Sequence, residues 1–430
     1  MSSVPSTVNR LDEHLQKLLR QGVTLKGDEV KEANCSLQNV LLNIMQPKMK
    51  SIDETFRELY KQPHYVGSFY ENLRVGRPDE YDINLELQLP MDESEVKIVT
   101  TGTTPGFAKI KVGKDFHSRT PEAVKRKIES WCVDNYLCRD KVIQWLIGIV
   151  DKVLQTVKWP RNMSVKPCTS GPAVTLKISE NNKELSVDLV PVFTFGADKW
   201  PAPPLRQIKN LPGKIDTSLK WCVVPKPPRE DISSKQQWRM SFYMYEKCLM
   251  NGLSNMKPVV KLMKLLRDKQ NWVSLSSYYI KTLFLLEQEK QRLDDKFWNK
   301  GLGYLFMHML GQLENYFQRE EIPFFWDKRS NLIKHLKKDE IKNMRGRVTH
   351  LRKMVERALS SPGQDLSSVV NELFVITMCC SAPRREETNN QAIDPQQAEG
   401  TDWNALVENV SLGVAFVSVG VMIARRLYQN

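Results

Sequence analysis

Apolar and polar positions alternate without a break along EYDINLELQL, residues 80–89. Side chains point to opposite faces of a strand with period two, so Tyr81, Ile83, Leu85, Leu87 and Leu89 form one face and Glu80, Asp82, Asn84, Glu86 and Gln88 the other. The apolar face is expected to bury and the acidic one to look into a cleft. A second alternating run, LSVDLVPVF over 185–193, sets Leu185, Val187 and Leu189 against Ser186, Asp188 and Val190, with Asp188 its only charge. Elsewhere the period is helical. Leu11, Leu15, Leu18 and Leu19 predict an N-terminal helix, and Leu37, Val40, Leu41, Ile44, Ile52, Phe56 and Leu59 a long one from Cys35 to Tyr60 that bends near Pro47. The run Val124–Val157 predicts one or two helices packed on the sheet, with Trp131 and Trp145 in the core. Past the proline-rich passages at 200–214 and 223–230, residues 238–380 read as helical. The expected class is therefore α+β, with a mixed β-sheet lobe followed by a helical one.

The polar positions carry the chemistry. Glu80 and Asp82 stand on one strand face that no hydrophobic pattern requires to be acidic, and carboxylate oxygens suit a hard divalent cation such as Mg²⁺ or Mn²⁺. Solvation alone also places acids on the wet side of a strand. Asp188 tips the balance, because a lone carboxylate in an apolar strand is costly unless it is paired or bound to metal. Upstream, Gly67-Ser68 permits a tight turn with free N–H groups and a hydroxyl, which suits a phosphate. Three acids beside such a turn make the constellation that two-metal nucleotidyl transfer needs.

The chain has 430 residues, 41% of them hydrophobic, enough for a sizeable core, and a formal charge of +13, which favours an anionic partner. Its eight cysteines are scattered and no secretory signal precedes them, so reduced thiols are expected. Lys48 and Lys50, on the polar side of the long helix, and Lys125, Arg126 and Lys127 are candidates for nucleic-acid contact, although a basic run is also what a solvated helix face looks like.

The Gly67-Ser68 turn, Glu80-Tyr81-Asp82 and the distant Asp188 resemble the motif set of the Mab-21 nucleotidyltransferases, and specifically of the cyclic GMP-AMP synthase-like receptors. WRMSF at 238–242, KLMKLL at 261–266 and SSYYIKT at 276–282 resemble later family landmarks in the same order. The resemblance implies a bilobal nucleotidyltransferase fold with a long spine helix. It implies Glu80, Asp82 and Asp188 as catalytic ligands of two Mg²⁺ or Mn²⁺ ions, with ATP and GTP as substrates. It places Gly67, Ser68, Arg239, Ser241, Lys264, Ser276, Ser277 and Tyr278 at the nucleotides, Tyr278 by stacking on a base; Lys261, one turn before Lys264, shares its field. Val190 and Tyr243 depart from the family's pattern near the base-reading positions. No His-Cys-Cys-Cys cluster lies between Glu246 and Lys261, so no structural zinc is expected. The resemblance then implies double-stranded RNA rather than double-stranded DNA as activator, and a dimer on ligand.

The expected organisation is a helical lead-in over 1–33, the nucleotidyltransferase core over 34–235, the helical lobe over 236–380, a polar linker over 381–402 and a tail-anchor helix over 403–426. Val410–Ala424 is uncharged, ends at Arg425-Arg426 and is bracketed by Trp403 and Tyr428. Counted from Ala405, it reaches about the length a membrane helix needs, with Glu408 and Asn409 inside the count. It would hold a cytosol-facing enzyme on the mitochondrial outer membrane or endoplasmic reticulum; a packing helix is the other account. The function expected is nucleic-acid-activated synthesis of a cyclic dinucleotide of the cyclic GMP-AMP type, an innate immune messenger. The alternatives are a catalytically silent nucleotide-binding scaffold at a membrane and a constitutive enzyme acting on RNA ends.

Overall fold

Helix α1 (Ser6–Leu18) buries Leu11 and Leu15 completely. The computed structural model describes residues 6–20 and 27–374, apart from 78, 171–172, 182, 213–214, 217, 292–293, 295 and 362–365. The linker and tail-anchor expectations over 381–426 lie outside the described residues. Among the described residues no helix is long and apolar enough to cross a membrane. The chain divides into two compact units, one holding residues 27–72 and 77–249, the other α1, 73–76 and 250–374.

In the first unit the long helix is real but segmented. α2 (Gly27–Gln38) runs through a π-helical turn (Asn39–Met45) into α3 (Gln46–Ile52), and α4 (Glu54–Leu59) follows. The break falls at Asp53, not Pro47. The π-helical turn lies immediately before Pro47 and shifts the hydrogen-bond register there, so Met45 and Gln46 stay helical and the backbone passes the proline without breaking. Asp53 is extended, and its carboxylate accepts from the Phe56 N–H at 2.7 Å, capping α4, and from the Trp145 indole at 3.3 Å.

The chain then enters a mixed sheet of eleven strands: β1 (Tyr60–Val66), β2 (Glu80–Leu87), β3 (Val96–Val99), β4 (Phe107–Val112), β5 (Cys132–Val133), β6 (Tyr136–Leu137), β7 (Met163–Ser170), β8 (Ala173–Glu180), β9 (Lys183–Phe195), β10 (Trp221–Val224) and β11 (Gln237–Ser241). Its main path is β1-β2-β9-β10-β11-β4-β6-β5, with β3 on β4 and the β7–β8 hairpin on β9. β2 and β9 run parallel, while every other pairing is antiparallel. Tyr81, Ile83, Leu85 and Leu87 are at most 1% exposed, as the alternation requires. The run Val124–Val157 becomes α5 (Glu122–Trp131), the β5–β6 hairpin and α6 (Arg139–Thr156), with the rings of Trp131 and Trp145 buried 4.8 Å apart. The hairpin is too short for a periodicity argument to find.

β11 corrects the helical reading of residues 238–241. Gln237–Ser241 pairs with both β10 and β4, so WRMSF is sheet, and α7 (Tyr243–Met250) follows it. Trp238 and Met240 supply the strand's buried apolar side.

The second unit contains α8 (Met256–Lys269), α9 (Ser277–Lys290), α10 (Leu302–Gln318), α11 (Lys338–Ser360) and α12 (Leu366–Phe374). α1 belongs to it: the Asp12 carboxylate accepts from the N–H groups of Leu302 and Gly303, at 3.1 and 2.6 Å, and so caps α10.

Candidate active site

Register builds one polar face in the first unit. Asp82 on β2 lies opposite Asp188 on β9, and in-register residues of parallel strands share a face. Glu80 joins them by the period of two. Across the sheet the same face carries His64 opposite Asn84, Thr194 opposite Cys222, and Cys222 opposite Ser241, with Arg239 two residues before Ser241. A row of acids thus continues into neutral and basic groups along a single surface.

The Gly67-Ser68 turn closes onto this row. Gly67 has φ +96°, and a Cβ built there would stand 1.8 Å from Asp82 Oδ2, so only glycine lets the backbone approach that carboxylate. The Tyr70 N–H donates to the Gly67 carbonyl at 3.0 Å, and the rings of Phe69, Tyr70 and Tyr81 pack together beneath the turn. Ser68 is half-buried.

Glu80 is exposed, while Asp82 and Asp188 are half-buried. Burial pushes the Asp188 carboxyl above the usual range; a hydrogen bond donated by the Thr175 hydroxyl works against this, and the charge of Glu80 works with it. Glu80, Asp82 and Asp188 are hard oxygen donors, which fits Mg²⁺ or Mn²⁺. The fit is one of face and donor type. Among the described residues no three acid, histidine or cysteine side chains converge into a ready-made metal cage.

The polar side of β2, expected to look into a cleft, is enclosed beyond Asp82. Asn84 is 0% and Glu86 2% exposed. Glu86 sits in a network that the sequence reading missed: His64 Nε2 lies 2.7 Å from Oε2, Gln62 donates to it at 2.8 Å, the Thr194 hydroxyl donates at 2.6 Å and Lys220 Nζ at 3.2 Å. Burial alone would raise this acid, but the bonds from His64, Thr194 and Gln62 outweigh burial and hold it well below the ordinary range. Pro63 interrupts the β1 pattern, and β1 shifts register beside it, which hides His64 from a periodicity reading.

Arg239 is 9% exposed, its guanidinium carbon 5.8 Å from the centre of the Phe107 ring. Lys50 Nζ lies 5.0 Å from the centre of the Tyr60 ring, and Lys48 is half-buried beside it in sequence. Lys125 and Arg126 pair with Glu122 at 3.7 and 3.5 Å, and Lys127 is exposed.

The second unit holds the remaining predicted residues. Lys264 is buried and donates to the Leu73 carbonyl at 3.1 Å. Lys261 is pushed down to about 8, by burial first and then by Lys264 and Lys257. Lys257, one turn before Lys261, was missed because a lysine on a helix looks like any wet face. Ser276 caps α9, its hydroxyl accepting from the Tyr278 N–H at 3.2 Å. Ser277 is buried, and Tyr278 is 0% exposed with its ring centre 6.2 Å from that of Phe324. The stacking surface expected of Tyr278 is therefore enclosed in this structure.

Residues 69–252 match the Mab-21 protein nucleotidyltransferase domain, and residues 255–350 the Mab-21 protein HhH/H2TH-like domain. A cyclic GMP-AMP synthase-like receptor of Aethina tumida is 30% identical over 407 residues, covering 92% of this chain and 97% of its own. One from Tribolium castaneum is 31% identical, covering 80% and 89%, and one from Microplitis demolitor 35% identical, covering 79% and 64%. A sheet face with two acids in parallel register, a glycine turn closed onto one of them, and both halves of the family's domain pair place this chain in the Mab-21 nucleotidyltransferase family, among the cyclic GMP-AMP synthase-like receptors.

Proposed function

We propose that the chain joins ATP and GTP into a cyclic dinucleotide of the cyclic GMP-AMP type when nucleic acid binds it. The observation that carries this reading is the register of Asp82 against Asp188 with the Gly67 turn packed on Asp82. In each step a ribose hydroxyl oxygen bonds to the α-phosphorus, the bond from that phosphorus to the β-phosphate bridging oxygen breaks, and pyrophosphate leaves with the electron pair. Two divalent cations, held by Glu80, Asp82 and Asp188, would supply charge neutralisation on the phosphates and acidify the hydroxyl. Asp188, in register with Asp82, would be the acid that receives the hydroxyl proton. The Gly67-Ser68 turn offers N–H and O–H donors to phosphate oxygens; within the second unit, Lys257, Lys261 and Lys264 make a cationic field suited to phosphate groups.

The printed names of the relatives support the product class. The charge of +13, with Arg126 and Lys127 exposed, supports a polyanionic activator, and double-stranded RNA is the first candidate because a duplex is read by backbone and shape. The tail over 403–426 remains a proposal for membrane attachment, checked by whether deleting 403–430 releases the protein from membrane pellets.

The deciding experiment incubates the full chain with ATP, GTP and Mg²⁺ or Mn²⁺, with and without double-stranded RNA or DNA, and reads products by mass spectrometry beside a Glu80→Ala, Asp82→Ala double variant. A cyclic dinucleotide that requires both a duplex and the two acids is expected. A folded chain that binds nucleotide but makes no product with any duplex would replace this reading with the silent scaffold.

A further inference from the structure

Beyond the acids, the polar face holds hydrogen-bonding capacity that the fold does not use. Asn84 is 0% exposed, and neither its Nδ2 nor its Oδ1 has a hydrogen-bond partner among the described residues. The Tyr243 hydroxyl, on a side chain 1% exposed, is also without one. The Ser241 hydroxyl, in register with Cys222 and near its thiol, makes no hydrogen bond of ordinary geometry. An unsatisfied buried polar group costs stability, so several gathered on one face is an arrangement that a fold seldom carries without a ligand to relieve it.

These groups are neighbours. Asn84 lies directly opposite His64 on β1, and the ring of Tyr243 is centred 6.3 Å from that of His64. Ser241 faces Cys222, which faces Thr194, whose hydroxyl donates to Glu86 two residues beyond Asn84. Asn84 is also two residues beyond Asp82 on the same strand face, about 7 Å along the strand. That distance is on the scale of the step from a ribose to the hydrogen-bonding edge of its purine.

The chemistry of the unspent groups selects the ligand. They are neutral and offer donors and acceptors together, as a base edge does, and the Glu86 carboxylate on the same strand face disfavours a phosphate beside them. A carboxamide presents one donor beside one acceptor. Both adenine, through N1 and N6–H, and guanine, through O6 and N1–H, present the complementary pair, and the amide accommodates either by turning over.

We infer that Asn84, seconded by the Tyr243 hydroxyl, is the residue that hydrogen-bonds the purine edge of a nucleotide whose sugar and phosphates lie at Asp82 and Asp188. This rests on the nucleotidyltransferase reading above and adds to it a residue for base recognition.

The test measures binding of ATP, GTP, purine riboside triphosphate and inorganic tripolyphosphate to the full chain with Mg²⁺, for the wild type, Asn84→Leu and Tyr243→Phe. Purine riboside triphosphate keeps the ring but lacks the exocyclic amino and oxo groups. The wild type should bind ATP or GTP roughly tenfold more tightly than this analogue, the discrimination typical of a bidentate amide–base pair. In Asn84→Leu the difference should collapse while tripolyphosphate affinity stays the same. Its melting temperature should hold or rise, because leucine removes an unpaired buried amide at nearly constant volume. Tyr243→Phe, which deletes one hydroxyl, should narrow the difference by a smaller factor. A wild type that binds no nucleotide overturns both this assignment and the reading beneath it. A wild type that binds nucleotides but does not distinguish them from the analogue, or variants that keep its full discrimination, overturn this assignment alone and leave the orphaned groups to buried water. If Asn84→Leu fails to fold, unchanged discrimination in Tyr243→Phe has the same effect.

Discussion

Asp188 and Glu86 are carboxylates on adjacent strands and one face of the same sheet, yet their surroundings drive them in opposite directions. Asp188 is raised by burial and by Glu80, with one hydroxyl to oppose them; Glu86 has less of its surface exposed to solvent but is held low by His64, Thr194 and Gln62. A native carboxyl that binds protons more tightly than in the unfolded chain costs stability when ionised, and one that binds them less tightly contributes it. Under the proposed function the first pattern is that of a ligand-facing carboxylate, whereas the bonds around the second brace the sheet. Burial did not decide between them. The number of donors that each strand's neighbours supply did.

The largest effects should break the ligand-facing end of this comparison. Asp82→Asn and Asp188→Asn should each lower product formation on the order of 100-fold or more, read by initial rates under saturating nucleotide and duplex. Their stabilities should separate them from structural lesions. Asp188→Asn keeps an acceptor for Thr175 and removes an ionised group held at a cost, so its melting temperature should match or exceed the wild type at pH 7.

Gly67→Ala tests the contact between turn and acid. A Cβ 1.8 Å from Asp82 Oδ2, at φ +96°, forces turn and carboxylate apart. About 1–3 kcal/mol of stability should be lost in chemical denaturation, and activity should fall by more than that loss explains.

Glu86→Gln tests the bracing end. It leaves His64 beside a neutral amide and should cost roughly 2–4 kcal/mol, with the melting temperature reduced and little change in nucleotide affinity at temperatures where the variant is folded. The pH dependence follows from the sign. Because Glu86 is depressed in the native state, its contribution is present above the ordinary glutamate range and is lost as pH falls through and below it, so acid should destabilise the wild type more steeply than Glu86→Gln.

The lysine cluster should give a smaller effect. Lys261 is pushed down to about 8, so it is mostly charged at pH 7 and mostly neutral at pH 9. Triphosphate affinity should fall several-fold across that interval, and Lys261→Met should flatten the profile. The smallest effect belongs to the wet helix face: Arg126→Ala with Lys127→Ala should change stability by less than about 0.5 kcal/mol while lowering the salt dependence of duplex binding.

Much of this was legible in the chain itself. The alternation over 80–89 and 185–193 specified two strands and which residues share each face, because a period of two is a local property of extended backbone. Gly67 was recognisable as a turn, and the aromatic and aliphatic periodicities placed α5, α6 and the helical second unit. Tertiary structure alone decided that Asp82 meets Asp188, that Asn84 and Glu86 are enclosed whereas Glu80 is exposed, that WRMSF is a strand, and that Tyr278 is covered. The reason is that face is set by neighbours along the chain, whereas register and burial are set by strands and helices distant in sequence, whose arrival no local pattern encodes.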